Sequence, residues 1–281
     1  MTDQAPHESE RNTNAPMQSP ALEHFDLDAA YAALRRPKVF VVLPAYNEES
    51  NIGGLIGSIA RTMVEHRMPF EIVVVDDGST DRTIDIVNAM AQTYPVRLLR
   101  HEVNQGLGGT IRDGLYEASR LTSDGDIVVT MDADETHTPG LILAMVRQIQ
   151  EGRDVVVASR YQPGSRVIGL TPFRVVLSLA GSFVFRLLFP TSGLRDFTCG
   201  YRAYRSAVLH RALAEYGTKF IDQDGFQCMV DILLKLRRLS IVFGEVPMIL
   251  RYDMKKSVSK MRVMRTVRNT LVLIVKRRLG R

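Results

Sequence analysis

The chain has 281 residues, 45% hydrophobic and 24% charged, with a net charge of +5, an ordinary globular composition that suits one catalytic domain with appendages. Its two cysteines, Cys199 and Cys228, are too few for a disulfide framework and lack metal-ligand spacing, so no zinc site is expected and they read as small buried hydrophobes in a reducing compartment. The net charge is uneven: Arg251–Arg281 carries eleven Lys or Arg against one acid, Asp253, while the rest is mildly acidic, and no nucleic-acid partner is expected.

In chain order, the first 36 residues hold Pro6, Pro16 and Pro20 among scattered polar residues and no apolar core, so they read as a disordered lead-in rather than a signal peptide or an anchor. A first strand at 38–43 ends at Pro44, and Asn47, Glu48 and Glu49 open an amphipathic helix to about His66. The same order repeats in strand 71–75 with helix 81–93, strand 96–100 with helix 107–121, and strand 126–131 with helix 138–151, followed by strand 154–158. Such alternation with short connections predicts a doubly wound α/β sheet, mostly parallel and flanked by helices, over residues 37–160.

Beyond Arg160 the pattern loosens. Pro163 and Gly164 break the chain, an apolar helix spans 171–189, and a polar segment covers Asp196 to Tyr204. Helices follow at 206–214 and 224–238, with edge strands at 241–243 and 247–250. In the basic tail Val263, Val267, Leu271 and Ile274 recur at helical spacing beside Arg262, Arg265 and Arg268. This amphipathic helix suits either an anionic membrane surface or docking of its apolar stripe on the core. No apolar run reaches the ~18 residues needed to span a bilayer.

The chemistry concentrates at two strand ends. Glu71–Asp81 (EIVVVDDGSTD) is an apolar run emptying into an acidic turn, and Asp126–Asp134 (DIVVTMDAD) repeats the arrangement. Runs apolar on both faces suit a parallel sheet covered by helices, whose ligands sit at the carboxyl ends of the strands. If the strand continues through them, Asp132 and Asp134 project the same way, and their charges repel unless a hard divalent cation bridges them to a phosphate.

Several nucleotide motifs do not fit. In the cluster at Gly106, Gly108 and Gly109 the last glycine of a dinucleotide fingerprint would fall on Ile111, there is no Walker A sequence, and no glycine-rich loop follows the first strand. Asp132–Thr136 matches the Asp-x-Asp-x-Thr motif of haloacid-dehalogenase-type phosphatases, but that motif follows the first strand of its domain and here three strands precede it.

Residues 41–49 (VVLPAYNEE), 73–81 (VVVDDGSTD), 104–108 (NQGLG) and 131–134 (MDAD), in this order and spacing, resemble family 2 glycosyltransferases of GT-A fold. Further on, 159–161 (SRY), 196–204 (DFTCGYRAY) and Ser259–Lys260 are similar to the dolichyl- or polyprenyl-phosphate branch of that family, and the resemblance covers about residues 38–262. It implies that Pro44, Tyr46 and Glu48 line a nucleoside pocket, that Asp76 contacts the base with Gly106 nearby, and that Asp132 and Asp134 hold Mg²⁺ or Mn²⁺ on the donor diphosphate. Arg160, Arg202 and Lys260 are candidates to grip donor or lipid phosphates. The sequence departs from the family at Glu135, where relatives carry a neutral residue, and in lacking a glycine before Ser259–Lys260.

The expected activity is inverting transfer of a sugar from a UDP- or GDP-sugar. A polyprenyl or dolichyl phosphate acceptor needs no general base, whereas a hydroxyl acceptor needs a carboxylate, with Asp224 first and Asp222 and Asp196 in reserve. His137 is a further candidate ligand. The resemblance implies a cytoplasmic enzyme, peripheral at the inner membrane face if the acceptor is a lipid. A catalytically idle nucleotide-sugar-binding subunit is the contrasting class.

Overall fold

Val39–Ala45 (β1) is apolar on both faces, and every residue from Val39 to Leu43 is buried. In the computed structural model, which describes residues 36–169, 172–254 and 263–278, this strand lies in the middle of a seven-stranded sheet ordered β3-β2-β1-β4-β7-β5-β8. β1 pairs in parallel with β2 (Phe70–Asp76) and β4 (Ile127–Thr130), and β2 pairs with β3 (Val96–Arg100). The crossovers are α1 (Ile52–Glu65), α2 (Thr83–Met90) and α3 (Gly106–Leu121), while α4 (Leu141–Gln150) leads to β5 (Val155–Ser159). Each of these helices turns an apolar stripe to the sheet, as Ile52, Leu55, Ile56, Ile59 and Met63 do in α1. The predicted first half is thus present with ends shifted by a few residues, and the expected N-terminal segment falls outside the described residues except for Arg36.

The second half differs from its reading in two places. The polar segment contains a strand, β7 (Arg202–Arg205), inserted antiparallel between β4 and β5. Its polarity hid it, yet Arg202 and Tyr204 are fully buried. The guanidinium of Arg202 donates to the carbonyls of Cys199 (2.7 Å) and Phe197 (3.0 Å), which makes the burial tolerable. β8 (Phe243–Pro247) closes the sheet edge against β5, and a separate parallel pair joins β6 (Arg166–Ile168) to β9 (Ile249–Arg251).

Three helices complete the described chain besides the apolar α5 (Pro172–Leu188): α6 (Ser206–Tyr216), α7 (Gln227–Leu236) and α8 (Val263–Arg278). Phe185 and Phe189 are buried, whereas Phe183 is 65% exposed. The basic helix α8 packs on α7 by part of the predicted stripe: Ile274 is buried, together with Leu273 from outside the stripe, whereas Leu271 is 54% exposed. Arg277 adds a polar contact to this packing, its fork reaching the buried carboxylate of Asp231 in α7 at 2.6 and 2.9 Å.

Candidate functional site

The parallel register sets Ala45 beside Asp76 and Asp76 beside Arg100, so β1, β2 and β3 end level. β4 ends at Thr130, opposite the start of β7 at Arg202, and β5 ends at Ser159 on the same side. Tyr46, Glu48, Asp76, Gly106, Asp132, Asp134 and Arg160 therefore all leave the sheet at its carboxyl edge, the usual ligand side of such sheets.

The loops at this edge are tied to one another. Asn47 adopts φ +50°, a conformation Asn tolerates better than most residues. Its amide donates to Ser79 Oγ and its Oδ1 accepts the Thr80 amide, both at 2.8 Å. Glu48 N donates to Thr83 Oγ1 and Glu49 N to Asp81 Oδ2. Asp81 Oδ1 takes the Thr83 amide at 3.0 Å, so Asp81 serves the start of α2 as a capping residue does. The Glu48 carboxylate accepts from Asn51 Nδ2 at 2.8 Å. Much of the two motifs is therefore scaffold that joins the β1 and β2 loops.

Asp76 and Asp77 have different tasks. Asp77 accepts the amides of Gln105 (2.8 Å) and Gly106 (2.9 Å), and its Oδ1 lies 2.8 Å from His101 Nδ1. His101 Nε2 in turn lies 3.0 Å from Asp113, so Asp77 and His101 moor the entry to α3; the sequence offered no pattern for this pair. Asp76 is fully buried, and Oδ2 accepts the Ser79 amide at 3.0 Å. Its Oδ1 is buried without a hydrogen-bond partner. A buried acceptor left unmade costs ~1–3 kcal/mol, which a ligand N–H would recover.

The strand stops at Thr130, short of the two metal candidates, rather than running through them as expected. Asp132 and Asp134 are half-buried, and Asp134 Oδ1 accepts the amide (3.2 Å) and hydroxyl (2.6 Å) of Thr136. Glu135 follows at φ +59°. Gly200, at the mouth of β7, passes close by: a Cβ there would lie 3.3 Å from Asp132 Oδ1 and 3.2 Å from Met229 Cε. No group of three His, Cys, Asp or Glu side chains converges on one point among the described residues. His137 is buried and stacked on Tyr201 at 5.0 Å between centroids, with Nδ1 unpaired.

The glycines of α3 serve packing. Gly108 N donates to Asp224 O at 2.8 Å, and a Cβ on Gly108 would lie 1.7 Å from Gln223 O. The amides of Gly106 and Gly108 are thus used inside the protein, Gly106 on Asp77. Asp224 itself is exposed, and the hydrogen bond that Arg112 donates to Asp113, with added attraction from the charges of Asp113 and Asp224, raises the Arg112 guanidinium above its ordinary pKa.

The predicted cations have other engagements. Arg160 forks onto Asp196 with two 2.8 Å bonds and adds its backbone amide at 3.1 Å. Burial works against both charges, yet their mutual attraction holds Arg160 above and Asp196 below the ordinary range. Asp196 is fully buried and also accepts the amides of Thr198 and Cys199, so it is no reserve base. Asp222 is likewise occupied: burial would raise its carboxyl, but hydrogen bonds from Gln223 and Lys235 bring it to about 2. Arg202 lies under the edge, with one terminal nitrogen unpaired and buried. Lys260 lies outside the described residues. Burial pushes the thiols of Cys199 and Cys228 up to about 12, which leaves them inert.

The chain is 33% identical over 211 residues to dolichol-phosphate mannosyltransferase of Pyrococcus furiosus, covering 75% of this chain and 55% of that one. It is 30% identical to polyprenol monophosphomannose synthase of Mycolicibacterium smegmatis and 31% to undecaprenyl-phosphate mannosyltransferase of Micrococcus luteus, each over 75% of this chain and over 76% and 82% of theirs. The chain thus spans little more than half the length of the Pyrococcus relative. Glucosyl-3-phosphoglycerate synthase from Mycobacterium tuberculosis, crystallised with Mn²⁺, UDP and glucosyl-3-phosphoglycerate, shares the fold with a TM-score of 0.61 over 90% of this chain and 83% of that one, at 23% identity. The expected GT-A architecture is the one present, and with residues 40–213 matching its family pattern the chain belongs to glycosyl transferase family 2.

Proposed function

We propose that this chain transfers a sugar, with inversion, from a nucleoside diphosphate sugar to a polyprenyl phosphate, using Mg²⁺ or Mn²⁺. The observation that carries this reading is the meeting, at one sheet edge, of the unpaired Asp76 oxygen with the Asp132 and Asp134 pair. Asp76 Oδ1 is an acceptor that suits the imide N–H of uracil or the N1–H of guanine, and Pro44, Tyr46 and Glu48 lie at the neighbouring end of β1, where Ala45 pairs with Asp76. Asp132 and Asp134 are the residues that would hold the ion, their hard oxygens fitting Mg²⁺ or Mn²⁺ and leaving sites for diphosphate oxygens. When bound, the ion would neutralise charge growing on the departing nucleoside diphosphate.

On the acceptor side, a cavity of about 410 Å³ is lined by Arg160, Tyr161, Leu179, Ser182, Phe183 and Arg186. A second, of about 520 Å³, shares Phe183 and Arg186 and adds Leu187 and Arg195. Apolar walls with arginines at hand suit a lipid phosphate, and the names of the three relatives favour that class and make mannose the first sugar to test. A phosphate monoester oxygen is ionised near neutral pH and attacks without a base. No described helix is long and apolar enough to cross a membrane. Exposed Phe183 and Leu187 of α5 and Leu271, Val272 and Val275 of α8, with Arg186 and Lys276, would instead rest on an anionic bilayer surface. Arg278 reaches Leu188 O at 3.4 Å, which joins the ends of the two helices.

A second reading, transfer to a hydroxyl, rests on Asp224, an exposed carboxylate whose backbone is held against α3. Calorimetry of UDP- and GDP-sugars with Mn²⁺, followed by incubation of the bound donor with a short polyprenyl phosphate, separates the two. Glycosyl-phospholipid is the expected product. Metal-dependent donor binding without lipid transfer would move the assignment to a hydroxyl acceptor, and no donor binding at all would refute both.

A further inference from the structure

Two cations and two carboxylates form a chain of contacts between the C-terminal helix and the sheet edge. Asp231 in α7 is buried and accepts both arms of the Arg277 fork from α8. The same carboxylate lies 2.7 Å from Lys235 Nζ, which is also buried. Lys235 turns the rest of its ammonium toward the segment before α7, donating to the carbonyls of Lys219 and Phe220 and to Asp222 Oδ1 at 3.1 Å. Arg277 itself stands 3.6 Å from Asp222. Two residues further on, Gln223 and Asp224 press their carbonyls onto the first turn of α3, where Gly108 N donates to Asp224 O. At the other end of this segment, Met229 lies against Gly200 beside Asp132.

A buried Lys–Asp pair is a poor choice for stability alone, because desolvation offsets the attraction between the charges. Its value here is geometric: the ammonium ties α7 to the 219–222 turn and, through Asp231, to α8. Among the described residues, removing Arg277 would leave Asp231 and Asp222 with Lys235 as their shared cation, and the turn would lose part of its hold.

We infer that Arg277 is a positioning residue for sugar transfer, acting through Asp231 and Lys235 to hold the Gln223–Asp224 segment against α3 at the edge of the site. The C-terminal helix is then a working part of the transferase as well as a surface contact. The inference rests on the transferase reading above for its kinetic effect and on geometry alone for the coupling.

The test compares the 281-residue chain with Arg277→Gln, Arg277→Lys and Arg61→Gln, the last removing an equal charge from the exposed face of α1. Arg277→Gln is expected to lower kcat about 10–100-fold at temperatures where it is fully folded, the cost of a misplaced site segment. Donor affinity by calorimetry should stay within about twofold, since the Asp76 side is untouched. Arg277→Lys should restore part of the rate and Arg61→Gln should match the parent. Hydrogen exchange provides a readout free of activity: the Gly108 amide should exchange faster in Arg277→Gln and not in Arg61→Gln. An active parent with unchanged kcat and unchanged Gly108 exchange in Arg277→Gln would overturn the inference. If that variant does not fold, the same two readouts on Arg277→Lys decide it, parental values overturning the inference. An inactive parent whose Gly108 exchange still responds to Arg277 would uphold the coupling and refute the transferase reading instead.

Discussion

The amide of Gly108 donates to the carbonyl of Asp224 at 2.8 Å, so the first turn of α3 and the segment entering α7 form one surface at the sheet edge. That contact requires glycine, since a Cβ on Gly108 would sit 1.7 Å from Gln223 O, where no atom fits. Gly108→Ala should therefore push the 223–224 segment away and cost about 1–3 kcal/mol, the usual penalty of overpacking. Denaturant unfolding checks the stability change. A variant as stable as the parent would show that the segment yields freely.

Asp76 presents the opposite case, a buried oxygen that the folded chain leaves unpaired. Asp76→Asn keeps the volume, and its amide oxygen can still take the Ser79 N–H, so unfolding stability should change little. Donor binding should weaken about 10–100-fold, because a hydrogen bond to a charged group is worth ~1.5–3 kcal/mol. Equal donor affinity in parent and variant, measured by calorimetry, would remove Asp76 from the nucleoside pocket.

Asp132→Asn tests the metal proposal separately from the base. The half-buried side chain keeps its shape beside Gly200 but loses its charge. Transfer should fall by roughly 100-fold or more, the several kcal/mol expected of a Lewis-acid ion. Mn²⁺ titration of donor binding should lose its metal dependence, while metal-free UDP or GDP binding should survive. Retained metal dependence would point to other ligands.

Acid should destabilise the protein through its paired carboxylates. Burial alone would raise Asp222, but its hydrogen bonds hold it at about 2 in the folded state. A folded-state pKa below the unfolded value of ~3.9 means that the native form binds fewer protons, so the stabilisation is complete above that value and is lost as pH falls from about 4 to about 2. Because the Asp222 side chain is 40% exposed, screening trims its share to about 1 kcal/mol. Asp196, lowered by Arg160 against its own burial, acts in the same direction. Glu245 has the opposite sign: burial raises its carboxyl, so its contribution is present below the ordinary glutamate range and fades as pH rises through the raised value. Melting temperatures between pH 5 and pH 2 should fall steeply, and the fall should be shallower in Asp222→Asn. An identical slope would show that Asp222 is paired in the unfolded chain as well.

What could be read in the sequence was what local rules dictate. Apolar runs such as Ile72–Val75 can be covered only within a helix-flanked parallel sheet, and the acids that end those runs must then gather at one edge. Strand β7 was hidden because Arg202 and Tyr204 are buried against the pattern, their placement settled by neighbours rather than by periodicity.

The sequence by itself determined the order of strands and helices in the first half, the sheet edge that carries the chemistry, and the carboxylates available there. Only the tertiary structure decided what each charged group is occupied with. Arg160 meets Asp196 from 36 positions away, Arg277 meets Asp231 from 46, and the glycines of α3 meet the backbone of Gln223 and Asp224. Periodicity and turn chemistry act over a few residues, whereas an ion pair or a backbone approach depends on distances in space. The same arginine that reads as a phosphate ligand in the sequence is also a structural clamp once the fold brings a carboxylate to it.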